Sequence, residues 1–510
     1  MSCVIELRGA ANDLLHPVVQ EGLAALRGAL AAVERSLPRH VQKELEGFLG
    51  CGDPTNGFAW LHCAGCDHHR LVTFACKGRG FCPRCGGRRM AATAAWWIDR
   101  TPQASRRGRR ERCERAERQA RQAPQPAPGA ERKARREGVI PHVATRQWVL
   151  TVPWKLRWLL ARRPDLACGV HAVAMRTIER WYAKAAGVPK EGRTGSVTAT
   201  QRFGSALNLN LHFHSIFLDG VYTRGADDRL SFRRVVPHTE DVERLVVRIA
   251  DACEVWLTRQ GFGPDEEGDA GEDDAQAVIQ QASLLGQAAL GERAGKRARR
   301  VQVLGGKEHT LPPRCASFAG YNLHAGVAFK ASDRGGLERL CRYILRPPLS
   351  KDRLRRREDG TVEVGFKRVW SDGTAALVFT PLELVERLVS LVPPPRANQV
   401  IYRGVLAGNA AWRGEVVPTP KPESPDAAAA RRAKRLTRHP RINLVDERPS
   451  WADLLERVFA VDAFACPGCG GRLLLRCVVL QPHAARRIVA GLQRATGPPS
   501  PSPAGEDRRA

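Results

Sequence analysis

Acidic residues are scarce in this 510-residue chain: 53 Asp and Glu stand against 81 Lys and Arg, giving a formal charge of +28 and a sequence pI near 10.3. Such a surplus points to a polyanionic partner, because basic side chains that neutralise phosphates release counterions and gain affinity. Long apolar runs are missing as well. With no uninterrupted stretch of about 20 apolar residues and no lipidation motif, no membrane partner is expected. The opening MSCVIELRGAANDLL lacks a charged region followed by an apolar one, which argues against a secretory signal. Nucleic acid in the cytoplasm is therefore the default partner. The chain also lacks a GxxxxGK[ST] loop, the phosphate cradle of nucleotide hydrolysis. Tyrosine is rare, with five in all. Cysteine is not: fifteen thiols without a signal point to thiolate metal sites and buried thiols instead of a disulfide framework.

The order of segments follows from patterning. Residues 1–50 hold apolar positions at helical spacing (Leu14, Val18, Leu23, Leu26, Leu30, Val33), with Pro38 dividing two helices. Residues 51–100 form a cysteine block. There Cys63-x2-Cys66 and Cys82-x2-Cys85 have the spacing of one four-cysteine structural zinc site, each CxxC turn offering two thiolates to a tetrahedron. Cys51, Cys76, His62, His68 and His69 lie in the same block and leave a second site or an altered ligand set open. Lys77, Arg79, Arg84, Arg88 and Arg89 make the block basic and suited to DNA phosphates. A basic, Glu-interspersed linker follows at 101–140.

Residues 141–412 alternate strand and helix patterns, implying an α+β domain built on an antiparallel sheet, with an acidic insertion near 264–276. A linker at 413–450 precedes a segment at 451–490 with a lone CxxC, Cys466 and Cys469, and the tail 491–510 is disordered by composition. One CxxC cannot close a tetrahedron; Cys477, His483 or spare thiols of the first block are the candidates to complete it.

Two stretches carry chemistry. In LNLNLHFHSIFLDGVY (207–222), strand alternation puts Leu209, Leu211, Phe213, Ser215 and Phe217 on one face and Asn208, Asn210, His212 and His214 on the other. The two imidazoles project side by side about 7 Å apart by strand rise, close enough to ligate one ion; the alternative is a pair of histidines on a wet strand face. In GLERLCRYILRPPLSKDRL (336–354), Leu337, Leu340, Cys341 and Ile344 mark a helical face that stops at Pro347-Pro348. Tyr343 lies there beside Arg342 and Arg346, cations able to favour a phenolate and to bind phosphate.

CxxC…CxxC followed by GRRM, then RQWVLTVPW, QRFGSALNLNLHFHSIFLDGVY, CRYILRPPLS, DGT and LVPPPR…YRGVL, resembles the bacterial insertion-sequence transposases of the IS-ninety-one type. These are rolling-circle enzymes of the HUH (His-hydrophobic-His) endonuclease superfamily. The match runs from about Cys51 to Trp412. The resemblance implies an HUH-type antiparallel sheet with flanking helices behind an N-terminal zinc-binding module. It also implies His212 and His214 as ligands of a catalytic Mg²⁺ or Mn²⁺, Tyr343 as nucleophile, and single-stranded element ends at the bacterial nucleoid as substrate. The chain departs from the family in three places. Arg339 stands four residues before Tyr343, where some family members carry a second tyrosine. Pro347 stands where some relatives place a ligating Gln, and Arg403 where a histidine is expected. A third metal ligand is not singled out; Gln201, Asn210 and Glu338 are the candidates. A replication initiator or relaxase of the same class, and a non-enzymatic zinc DNA-binding regulator, are the competing readings.

Overall fold

A computed structural model describes residues 5–7, 14–98, 138–262, 274–303, 312–417 and 464–496. The linkers expected at 101–140 and 413–450, the acidic insertion and the tail lie for the most part outside those residues.

The chain opens with strand β1 (Ile5–Leu7) and helices α1 (Leu15–Ala31) and α2 (Arg39–Leu49). The hairpin β2 (Phe58–Cys63) and β3 (His69–Thr73) and helix α3 (Pro83–Ile98) follow. The central part runs β4 (Thr145–Thr151), α4 (Trp154–Arg162), α5 (Pro164–Ala185), β5 (Gly195–Phe203) and β6 (Leu209–Leu218). It continues with the hairpin β7 (Gly220–Arg224) and β8 (Leu230–Arg234), then helices α6 (Thr239–Arg259) and α7 (Ala275–Leu285). Short strands β9 (Arg299–Gln302), β10 (Cys315–Phe318), β11 (Tyr321–His324) and β12 (Ala328–Phe329) lead to helix α8 (Arg334–Ile344). The remainder is β13 (Leu354–Arg356), β14 (Val362–Gly365), β15 (Thr374–Phe379), α9 (Pro381–Leu391), β16 (Val400–Gly404), α10 (Arg413–Val416), β17 (Leu473–Val479) and α11 (Pro482–Thr496). Helix α11 carries order past residue 491, where a disordered tail was expected.

The main sheet runs β10-β11-β4-β6-β5-β16, with β12 also on β4, and all its pairings are antiparallel. The HxH strand β6 is interior, between β4 and β5. One sheet face, carrying Leu209, Leu211, Phe213 and Phe217, is buried against α5 and α6 in the largest apolar cluster. Arg403 lies on this face: it pairs in register with Ser196 and thence Phe217, and its guanidinium is 3.6 Å from Glu179 on α5. The expected histidine position is thus remote from the histidine pair. The other face carries His212 and His214, and beyond them Ile216 and Leu218, which pack beneath α3 and α8.

The boundary expected at residue 50 is not a gap in packing. Helices α1 and α2 share one core with β13, β14, β15 and α9. A Cβ on Gly22 of α1 would collide with the Pro381 carbonyl at the start of α9, so the two helices approach at backbone distance. Thr380 caps α9 in a reciprocal box with Glu383.

His171 on α5 shows what burial does to a titratable group here. Its Nε2 lies 2.9 Å from Thr198 Oγ1 and its ring packs on Phe213. Burial, with a smaller push from Arg403, brings its pKa to about 3. Because the folded pKa is depressed, the unfolded chain takes the proton first. Stability is therefore independent of this group above the unfolded pKa near 6.5 and falls by about 1.4 kcal/mol per pH unit from there toward pH 3. Denaturant unfolding at pH 7.5 and 5.5 is expected to show a smaller loss in His171→Gln than in the parent chain, by roughly 1 kcal/mol.

Candidate active site

The antiparallel register lines up the polar row. His214 faces Val149 on β4 and Ala199 on β5; His212 faces Thr151 and Gln201. The two imidazole centroids are 4.8 Å apart. The Nδ1 of His212 lies 2.8 Å from the Asn210 carbonyl, an acceptor, so Nδ1 carries the proton and Nε2 holds the lone pair. The Nδ1 of His214 lies 2.8 Å from Nε2 of Gln147, buried on β4, and accepts from it in this orientation of the amide. With the amide turned so that Oε1 faces the ring, Nδ1 carries the proton and His214 also offers Nε2. Burial, then the nearby Arg346 and Arg157, holds His212 down to about 4 despite the hydrogen bond at Nδ1. His214 is pushed well below its ordinary value by burial, with His212, Arg346 and His324 adding to the effect. Both rings are neutral at pH 7, the form a metal requires. Gln147 and His324 escape notice in the sequence because β4 and β11 reach β6 only through long-range pairing.

Helix α8 brings Tyr343 over this pair. The His214 and Tyr343 ring centroids are 6.3 Å apart and nearly perpendicular at 88°. The Arg346 guanidinium stacks 4.1 Å from the Tyr343 ring centroid and 5.5 Å from that of Phe203. Of the five tyrosines, Tyr182, Tyr222 and Tyr321 are buried, and Tyr402 is partly buried and accepts a hydrogen bond from Trp97. Tyr343 is 49% exposed. Among the tyrosines it alone is open to a macromolecular substrate.

The three third-ligand candidates separate. Gln201 is spent on the tyrosine helix, its Nε2 donating to the Ile344 carbonyl at 2.6 Å. Glu338 pairs with Arg342 one turn away at 3.0 Å. Asn210 lies on the histidine face two residues from His212, and its Oδ1 is buried without a hydrogen-bond partner. Among the described residues, no further histidine, cysteine or carboxylate gathers with His212 and His214 into a three-ligand group. Two neutral imidazoles with an orphaned amide oxygen beside them suit a divalent cation.

A cavity of about 90 Å³ lies beside the tyrosine helix, walled by the cysteine module at Arg79, Gly86 and Arg89, by Gln201 and Arg202 on β5, and by Arg346. Gly86 fits because a Cβ there would stand 2.8 Å from Pro347. Arg202, buried and invisible to a sequence reading, leaves Nε and Nη2 without partners, as Arg346 leaves Nη1. Arg89 is braced on the Lys77 and Gly78 carbonyls, and Arg79 bonds the Ala397 carbonyl.

The cysteines correct the sequence reading. Cys63 and Cys66 do not meet Cys82 and Cys85. Instead, Cys82 and Cys85 gather with Cys51 and Cys76, while Cys63 and Cys66 gather with Cys466 and Cys469. In the first group the sulfurs are 3.3 Å (Cys76–Cys85), 3.7 Å (Cys51–Cys82) and 3.8 Å (Cys51–Cys85) apart. Zn–S bonds of about 2.3 Å at tetrahedral angles put sulfurs about 3.8 Å apart, against about 2.05 Å in a disulfide. Contact with the Cys51, Cys76 and Cys85 thiols drives Cys82 above its ordinary range, and contact with Cys51, Cys76 and Cys82 drives Cys85 below. Sulfurs at these separations are placed to share one cation, which would let all four bind as thiolates. The block's histidines stay outside both groups: His62 Nε2 bonds Asp67 at 2.7 Å, with His69 Nε2 at 3.5 Å from the same carboxylate.

Replacing Gln147 by Ala is expected to weaken binding of Mn²⁺ at the histidine pair about 10- to 100-fold while leaving zinc content unchanged; a metal titration checks this.

Residues 195–413 match the family Y2_Tnp, described as "Putative transposase", and residues 24–104 match Zn_Tnp_IS91, described as "Transposase zinc-binding domain". No curated protein and no solved structure matches the chain. A structural zinc fits both the second match and the cysteine group it contains. No described helix is long and apolar enough to cross a membrane. With a transposase match across the histidine strand and the tyrosine helix and a zinc-binding match before them, the chain belongs to the IS91-type transposases.

Proposed function

We propose that the protein is a single-tyrosine HUH endonuclease that cuts and transfers one DNA strand in rolling-circle transposition. The observation that carries this is the exposed Tyr343 ring 6.3 Å from the buried, neutral His214 ring. The Tyr343 phenolic oxygen attacks a phosphodiester phosphorus; the new P–O bond leaves a 5′-phosphotyrosine, and the departing 3′ oxygen takes up a proton as a 3′-OH. A divalent ion held by the Nε2 atoms of His212 and His214, with Asn210 Oδ1 as an unpartnered donor on the same strand face, would neutralise the phosphate charge that grows in the transition state; Mg²⁺ or Mn²⁺ is the expected ion, imidazole favouring the latter. Attack by a 3′-OH on the phosphotyrosine reverses the step and joins strands without nucleotide hydrolysis. With Arg339 one turn before Tyr343, one chain cannot pass a strand between two tyrosines.

The strand path we infer runs over Arg346 and Arg342 and along the module through Lys77, Arg79, Arg88 and Arg89. Arg202 backs the same path. Single-stranded element ends are the substrate, and the bacterial nucleoid is where the protein works.

The test incubates the full chain with single-stranded DNA from an element end and Mn²⁺. Strand cleavage leaving a free 3′-OH, with the 5′ fragment end retained on protein through denaturation, supports the proposal. No cleavage of any strand with Mg²⁺ or Mn²⁺ overturns it in favour of a DNA-binding regulator.

A further inference from the structure

The group formed by Cys63, Cys66, Cys466 and Cys469 uses two ligands that lie outside both family matches, which end at residues 104 and 413. Its two halves are the same local structure built twice. In CAGCD (63–67) the Asp67 N–H donates to the Cys63 carbonyl and the Cys63 N–H to the His68 carbonyl, both at 2.9 Å. In CPGCG (466–470) the Gly470 N–H donates to the Cys466 carbonyl at 2.9 Å and the Cys466 N–H to the Gly471 carbonyl at 2.7 Å. The residue after the second cysteine takes a left-handed conformation in each, φ 54° at Asp67 and 70° at Gly470. The flanking residues pair across each turn, His62 with His69 and Ala465 with Arg472.

The two turns face each other with local two-fold symmetry. The first cysteine of each meets the second of the other: Cys63 to Cys469 is 3.5 Å and Cys66 to Cys466 is 3.4 Å. The central glycines obey the same relation. A Cβ on Gly65 would stand 3.7 Å from Cys469 Sγ, and one on Gly468 would stand 3.5 Å from Cys66 Sγ. The sulfurs are too far apart for disulfides and at the separation of ligands around one tetrahedral ion. Strand β17 continues the arrangement by pairing antiparallel to β2, Leu473 against Cys63 through Val479 against Phe58. Helix α11 then closes Ala485 and Val489 over Phe58 and Leu71.

We propose that Cys63, Cys66, Cys466 and Cys469 form a second structural zinc site, assembled from the two ends of the chain and locking the C-terminal segment into the N-terminal module. Zinc is the metal because an all-thiolate tetrahedron with no open position suits a structural ion. The module is then one unit of two zinc ions, and sequence from residue 464 onward completes it.

The full-length chain, purified without chelator and assayed by elemental analysis, is expected to carry two zinc ions. C466S/C469S is expected to carry one, C63S/C66S one, and the four-fold variant still one, since all four thiols serve one ion. Two zinc ions in C466S/C469S, or one in the parent chain, overturns the proposal, as does a different metal at this group. A readout free of variants guards against misfolding. After zinc is removed from the parent chain, diamide takes two electrons and two protons from each adjacent thiol pair. Peptide mapping should find Cys63–Cys469 and Cys66–Cys466 disulfides, suppressed when zinc is restored. Disulfides only within each turn, Cys63–Cys66 and Cys466–Cys469, would contradict the assembled site.

Discussion

His214→Ala is expected to lower metal-dependent cleavage by about a thousandfold or more, with His212→Ala close behind, and neither loss should be restored by raising Mn²⁺ into the millimolar range. Stabilising growing charge on a phosphate is a transition-state effect, and removing one such stabiliser costs about 10²–10³ in rate, more when the remaining ligand cannot hold the ion alone. The pair is suited to this because desolvation keeps both rings neutral. The Nδ1 atoms are also held, that of His212 by the Asn210 carbonyl and that of His214 by the Gln147 side-chain amide, which orients both rings. Zinc content should be unchanged in both variants, because the cysteine groups share no residue with the histidine strand. Cleavage that survives His214→Ala at parental rate would remove the metal assignment.

Tyr343→Phe is expected to abolish the covalent protein–DNA adduct and reduce strand cleavage by at least about a thousandfold, since the proposed nucleophile is removed. Stability should hardly change. The hydroxyl is on a half-exposed ring, and the Arg346 stacking contact and the apolar face of α8 remain in the phenylalanine variant. The pair of outcomes is informative: Tyr343→Phe should still bind element-end DNA and Mn²⁺, while His214→Ala should bind DNA and lose the ion. Gel-shift and metal-titration measurements on the two variants separate them.

Much of the site is legible in the sequence because it rests on local periodicity. Alternation in 207–222 assigns both faces of β6, and the face carrying Leu209, Leu211, Phe213 and Phe217 is indeed the core face. The helical face of Leu337, Leu340, Cys341 and Ile344 is buried as its spacing requires, which turns Tyr343 outward. Cysteine pairing was not legible. A CxxC turn has the same spacing whichever partner it meets, and the deciding contacts, Cys63 with Cys469 and Cys66 with Cys466, join positions 400 or more residues apart. Gln147 and Arg202 escaped for a related reason. A buried polar residue in a strand has no periodic signature, and its meaning appears only once β4 and β5 flank β6. The packing of α1 and α2 with α9 likewise depends on a core assembled from distant segments.

The most direct measurement of the central claim maps the adduct by mass spectrometry. The parent chain is reacted with element-end single-stranded DNA and Mn²⁺, digested with nuclease and trypsin, and searched for a nucleotide phosphate. The account predicts it on the peptide YILRPPLSK, Tyr343 to Lys351, linked through the tyrosine oxygen to a 5′-phosphate. A phosphate on any other residue, or cleavage with no modified peptide at all, would contradict it.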